Sequence, residues 1–167
     1  HRILVPGQVE DDASIRLGAG KTCTNLAFLA RVRDENPGSV ILFKPHPDVE
    51  AGLRPGRIEP EAALKFADLI LDRADPVRLL AEVDEVWTMT SLLGFEALLR
   101  GVPVTVTGAP FYAGWGLTRD LGAVPERRRT GPRPGLLGLV HAALIAYPRY
   151  RDPVSGLPCP AEVVVER

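Results

Sequence analysis

The chain has 167 residues, 46% of them hydrophobic, with 20 Lys and Arg against 21 Asp and Glu for a formal net charge of −1. That length and balance describe one globular domain able to bury a core, and they leave no global electrostatic footprint for nucleic acid. Cys23 and Cys159 stand far apart in no metal-ligand spacing, so neither a disulfide framework nor a zinc site is expected, and a reducing compartment suits them.

No apolar run reaches the roughly 20 residues that span a bilayer, and the amino terminus lacks a charged region leading into a hydrophobic core. A cytoplasmic protein is expected, neither inserted nor exported by signals of its own. The chain enters a strand, Ile3-Leu4-Val5, almost at once, which is the pattern of a piece taken from a longer protein. Pro6-Gly7 turns it into a polar loop, Gln8 to Ser14, that carries Glu10, Asp11 and Asp12 just past the strand end. Thr22 or Thr24 caps a helix through Leu26, Leu29, Ala30 and Val32, and Asn36-Pro37-Gly38 stops it. Val40 to Phe43 is the second strand of this strand-helix-strand unit.

Lys44-Pro45-His46-Pro47-Asp48 then leaves the carboxyl end of that strand, where open α/β sheets bind ligands. Lys44 offers a charge and His46 a ring donor, while the two prolines fix the backbone between them, a layout that suits a phosphate; a proline-rich turn with a satisfied histidine is the plainer reading. Farther on, Pro60 to Phe66 reads as a short helix, Ala67 to Leu71 as a weaker strand, and Asp75-Pro76 as the cap and first position of another helix. Glu85 to Thr88 is a strand. Ser91 caps Leu92 to Leu99, a helix apolar nearly all round whose Glu96 needs a partner. Pro103 to Val106 is a further strand, and Gly108 to Gly116 is a loop rich in glycine and aromatics. Leu136 to Tyr147 is the last clear helix, reached through an exposed basic lead-in, and the tail turns β-like at Val163 to Val165.

Strands alternating with helices predict an α/β, Rossmann-like fold, a mostly parallel sheet with helices on both faces. The expected division is a Rossmann-like domain over 1–150 and a tail over 151–167. Loops leaving parallel strands converge on one edge, which brings together the acidic loop, Lys44 and His46, and the helix start at Ser91, whose backbone N–H groups suit phosphate. Glu96 can accept from ribose hydroxyls, or pair with an arginine in the core.

Four stretches carry a resemblance: Gly7 to Ile15, Lys44 to Asp48, Thr90 to Leu98, and Pro110 to Gly116. In that order they resemble the motifs of bacterial capsule polysaccharide β-Kdo transferases, over most of the chain. The resemblance implies the donor-binding half of a two-domain, GT-B-like retaining glycosyltransferase that uses CMP-β-Kdo and builds the oligo-Kdo linker on a (lyso)phosphatidylglycerol acceptor. It implies that Asp12 is the nucleophile, with Glu10 or Asp11 as acid or base, and that Gln8, Lys44, His46, Ser91 and Glu96 bind the donor. Tyr112 and Trp115 would offer a face to sugar or acceptor, with a hydrophobic plug as the alternative. No cofactor and no metal are implied. The expected partners are the nucleotide-sugar donor, a glycolipid acceptor, other capsule assembly proteins and the inner-membrane surface, which the Arg127 to Arg129 run would meet. Two other readings stay open: a nucleotide-binding or assembly module without turnover, and a metal-dependent hydrolase built on Asp11, Asp12, His46 and Asp48.

Overall fold

In the computed structural model, which describes residues 1–166, the chain forms two compact units, His1–Gly131 and a second beginning at Pro132. Arg167, the end of the expected tail, lies outside the described residues. The first unit runs β1 (Arg2–Pro6), α1 (Ala13–Gly18), α2 (Asn25–Glu35), β2 (Val40–Lys44), α3 (Pro47–Glu50), α4 (Pro60–Ala63) and β3 (Leu69–Ile70). It continues through α5 (Pro76–Leu79), β4 (Glu85–Thr88), α6 (Leu92–Leu99), β5 (Val104–Val106), β6 (Arg119–Asp120) and α7 (Glu126–Thr130). The second unit holds α8 (Gly135–Val140), which passes into a π-helical segment, His141–Ala146, and then α9 (Ala161–Glu166).

The strands form one sheet in the order β3-β2-β1-β4-β5-β6, and every pairing is parallel. This is the α/β, Rossmann-like architecture that the alternation of strands and helices predicts. Parallel crossovers are right-handed, so the winding direction reverses between β1 and β4 and helices cover both faces. Pro6 is in register with Lys44, and Thr88 with Val106, so the polar segments that follow β1, β2, β4 and β5 leave from one edge.

Ile3, Leu4 and Val5 are wholly buried, as a central strand covered on both faces requires. Phe28, Leu29 and Val32 from α2 pack on one face of the sheet with Ile3, Val5, Ile41, Phe43, Trp87 and Met89. Each such side chain contributes about 1.5–3 kcal/mol through burial. The packing anchors β1 and β2, and so the loops that leave them.

Four elements depart from the sequence reading. Helix α1 occupies part of what reads as loop: Asp12 caps it by accepting from Ser14 N–H, but Ile15 is its only buried residue, too few for a period to show. Strand β6 is a two-residue strand with no apolar run, and α7 forms within the basic lead-in. Val163 to Val165 lies in α9 and not in a strand. A lone strand leaves its backbone groups unpaired, whereas a helix satisfies them within the segment, and among its described residues the second unit offers only an isolated Arg151–Pro158 bridge as extended pairing. Among the described residues no helix is long and apolar enough to cross a membrane.

Candidate active site

The reversal point between β1 and β4 is closed by Gln8, which is 6% exposed. Its Oε1 accepts from Thr88 Oγ1 at 3.0 Å, Met89 N at 3.1 Å and Thr90 N at 3.0 Å, and its Nε2 donates to Thr90 Oγ1 at 2.9 Å. Its backbone is held on the other side by buried Asn25, whose Oδ1 accepts from Gln8 N at 2.8 Å and whose Nδ2 donates to Gln8 O at 2.7 Å and Gly56 O at 2.8 Å. Both faces of the amide are thus occupied. Gln8, expected among the donor ligands, is held here as a strut between the two strand ends.

The three neighbouring carboxylates have three separate fates. Glu10 Oε1 accepts from Asn25 N at 2.7 Å, at the start of α2. Asp11 receives Arg54 through Nη2 at 2.7 Å and Nε at 3.2 Å, a contact that in turn raises the arginine's pKa. Asp12 is exposed and forms no ion pair among the described residues. The Ser14 hydroxyl and then the Ser14 amide hold its carboxyl below the usual carboxylate range, with smaller contributions from Arg54 and His46. Of the three, Asp12 is the exposed carboxylate bonded, among the described residues, only within its own turn and not to a cation. Glu10 and Asp11, expected as acid or base, are engaged in holding the loop.

Gly56 makes this clamp close. It has φ of +124°, and a Cβ there would meet Asn25 Nδ2 and the Gln8 carbonyl, so the strap around it lies directly against the loop. Pro55 O also accepts from Glu10 N at 3.1 Å.

His46 caps α3, and its Nδ1 accepts from Asp48 N at 3.2 Å. A backbone N–H can only donate, so in the neutral ring the proton sits on Nε2, which is left as a donor. Lys44 is 4% exposed, and its Nζ donates to Glu50 Oε2 at 2.8 Å and Pro45 O at 2.7 Å. Its charge is therefore met within the protein by Glu50, and only displacement of that carboxylate would free it for a phosphate. Lys44 and His46 both line an open cavity of about 740 Å³ with Phe43, Ile58, Ile70 and Arg57.

Ser91 begins α6. Its Oγ accepts from Leu93 N at 3.2 Å, and its own N–H donates to Thr88 Oγ1 at 3.0 Å. Glu96, expected to need a partner, is half-buried and makes no side-chain hydrogen bond or ion pair among the described residues. Tyr112 is wholly buried: its hydroxyl donates to Ser91 O at 2.6 Å and its ring stacks on Phe95 at 6.2 Å. Burial pushes the phenol pKa up. The ring thus packs as a plug beneath α6, the second of the two readings offered for it, with no exposed face. Trp115 is half-buried, donates from Nε1 to Phe111 O at 2.8 Å, and carries Arg128 over its ring at 5.7 Å. Arg128 also donates to Pro110 O and Ala113 O, so it buttresses the aromatic loop, while Arg127 and Arg129 remain exposed.

The fold brings Asp12, His46 and the Thr90-Ser91 turn to one edge. The hydrolase set does not assemble: Asp11 is on Arg54, Asp48 is a cap partner of His46, and no three ligating side chains gather as a metal-holding group among the described residues. Sequence reasoning passes over Asn25, Glu50 and Arg54. Only Asn25, a polar residue between Thr24 and an apolar helix face, carries a local signal.

The comparisons fit this geometry. The chain is 51% identical over 164 residues to the capsule polysaccharide modification protein LipA of Neisseria meningitidis serogroup B, covering 98% of this chain and 23% of that protein. It is 47% identical over 149 residues to the lipopolysaccharide-processing protein LpsZ of Rhizobium meliloti, covering 89% of this chain and 33% of that one. Among solved structures, the β-Kdo 2,7 transferase of Thermosulfurimonas dismutans KpsC superposes with a TM-score of 0.85 at 44% identity, over 99% of this chain and 52% of that one. The β-Kdo 2,4 transferase of the same protein gives 0.82 at 36% identity, over 99% and 51%. The chain thus spans about half the length of these solved relatives and less of the curated ones. The capsule polysaccharide biosynthesis protein model matches residues 1–150, and the chain belongs to that family.

Proposed function

We propose that this chain is the donor-binding half of a retaining glycosyltransferase that moves β-Kdo from CMP-β-Kdo to an oligo-Kdo linker on a (lyso)phosphatidylglycerol acceptor. The observation that carries the proposal is the separation of the acidic run: Asp12 alone is exposed, ionised and without a cation, on the edge shared with His46 and Ser91. Its relatives of known structure are named as β-Kdo transferases, which supports the sugar.

In this reading the Asp12 carboxylate attacks the anomeric carbon, and the bond to the CMP phosphate breaks with its electron pair going to the phosphate. The acceptor hydroxyl then attacks the same carbon, breaking the ester bond so that the Asp12 carboxylate leaves with the electron pair, and loses its proton to a base; two inversions give net retention. His46 Nε2–H and the N-terminus of α6 offset the charge on the leaving phosphate. Glu96, one turn into α6 and with no side-chain partner among the described residues, accepts from ribose hydroxyls. The protein works in the cytoplasm, at the inner-membrane surface where the glycolipid acceptor and other capsule assembly proteins meet it.

Calorimetric titration tests the donor assignment: CMP should bind ahead of UDP and GDP, and His46→Ala should weaken CMP by about 1–3 kcal/mol without lowering the melting temperature. Equal affinities would count against it. In the full-length transferase, Asp12→Ala should abolish transfer and leave CMP binding largely intact, because its role lies in the transition state. Incubation with CMP-Kdo alone should leave a Kdo adduct on the peptide from Gln8 to Arg16. An adduct on Asp11 would move the nucleophile by one residue.

A further inference from the structure

Arg54 is the cation that the fold fastens to the acidic loop, and only one edge of its guanidinium does the fastening. Nη2 at 2.7 Å and Nε at 3.2 Å converge on the same oxygen, Asp11 Oδ1. Two of the five N–H groups are used, which leaves three, and among the described residues these three make no hydrogen bond. They form the end-on edge of Nη1 and Nη2, which has the geometry to hold a second carboxylate, on a side chain that is 42% exposed. The side chain is not needed to place the strap, because the backbone does that. Leu53 N and Arg54 N donate to Asp48 O at 2.8 and 3.2 Å, Pro55 O accepts from Glu10 N at 3.1 Å, and Gly56 O accepts from Asn25 Nδ2 at 2.8 Å. The neighbouring cation Lys44 is buried and met by Glu50, and His46 keeps a single N–H, at Nε2, in the neutral ring.

Kdo is a 2-keto acid sugar, whose anomeric carbon bears a carboxylate where an aldose bears hydrogen. A carboxylate nucleophile that attacks this carbon becomes its second acidic substituent, and two like charges are forced together as the bond forms. We propose that Arg54 is a specificity-determining residue that receives the sugar carboxylate in its unused N–H groups, beside Asp12, and so selects a sugar acid as donor. The inference rests on the donor and the nucleophile assigned above, and it names the group on that sugar which the site reads. Asp12 follows directly on Asp11, the residue that Arg54 grips, and Arg54 contributes to the lowered pKa of Asp12 as a nearby cation does. Asp11, Asp12 and Asp48 all act on Arg54, so its surroundings are acidic, and an anionic sugar entering them meets a repulsion that the open edge of the guanidinium offsets.

The test compares two donors in the full-length transferase, CMP-Kdo and the analogue with a carboxamide in place of the sugar carboxylate. The parent should prefer the acid. Arg54→Ala should lower kcat/KM for the acid about ten- to hundredfold and change that for the amide little, so that the preference collapses. Arg54→Lys, which keeps a charge without the fork, should recover part of it. CMP alone has no sugar carboxylate, and its calorimetric affinity should stay at the parent value in both variants. Where Arg54→Ala fails to fold, Arg54→Lys carries the same comparison. An equal fall for both donors would make Arg54 a brace for Asp11 and nothing more. A preference for the acid that survives in Arg54→Ala, or none in the parent, would place the sugar carboxylate elsewhere. Each of these results overturns the inference and leaves the nucleophile assignment standing. Full transfer by Asp12→Ala, or no transfer from CMP-Kdo by the parent, would instead overturn the reading on which the inference rests.

Discussion

Replacing Asn25 by leucine would strip partners from three backbone groups together: the N–H and C=O of Gln8 and the C=O of Gly56. Each unpaired buried group costs about 1–3 kcal/mol, so Asn25→Leu should destabilise by about 3 kcal/mol or more in urea unfolding, whereas Asp12→Ala should change little beyond a helix cap. A neutral Asn25→Leu would mean that water replaces the amide. The contrast also marks which residues are legible in sequence. Ser91 stands out because a cap is a local pattern, set by the next two or three residues. Arg54 and Asn25 act on partners 43 and 31 residues away, distances that no spacing rule encodes. For Gln8 the resemblance supplies a ligand role, whereas its hydrogen bonds to Thr88, Met89 and Thr90, 80 to 82 residues away, are set by no local pattern.

At the scale of elements, α6 is the best-read helix, from the Ser91 cap to the residue before Arg100-Gly101, since its apolar run and both ends are locally specified. Helix α1 and β6 were lost because each buries too little to leave a period. Helix α6 also depends on a close approach that its sequence hints at only through a glycine. A Cβ on Gly94 would run into the Tyr112 hydroxyl, the group that holds Ser91 O. Gly94→Ala should therefore cost about 1–3 kcal/mol of stability through overpacking and loosen the Ser91 turn, weakening CMP in the same titration. Stability lost with CMP affinity unchanged would separate the plug from the phosphate end.

For the sheet-bearing unit as a whole, two aspartates pin strand starts. Asp68 accepts from Ile41 N at 2.7 Å and pairs with Arg33; Asp84 accepts from Arg2 N at 2.7 Å. These backbone bonds are the first cause of a lowered pKa in each. A carboxyl whose folded pKa lies below its unfolded value of about 3.9 adds stability above that value and loses it as pH falls through the folded one. The melting temperature should accordingly drop below about pH 4, and Asp68→Asn with Asp84→Asn should flatten that drop. An unchanged slope in the double variant would assign acid sensitivity to other carboxylates. Alternation of strands and helices makes the parallel sheet legible but not its strand order, since right-handed crossovers narrow the possible windings without choosing one.

The Gln8 strut has a further consequence for how the protein acquires its site. Its side-chain partners lie 80 to 82 residues along the chain, and the clamp through Gly56 lies beyond α2 and β2. Contacts so distant pay their loop-closure entropy before they return any stability, and they form late. The acidic loop is thus not anchored at Gln8 until β4 has docked beside β1. On that order of events a newly made or partly unfolded chain carries the acidic residues without the geometry, and transfer activity regained during refolding should lag behind the recovery of helical signal.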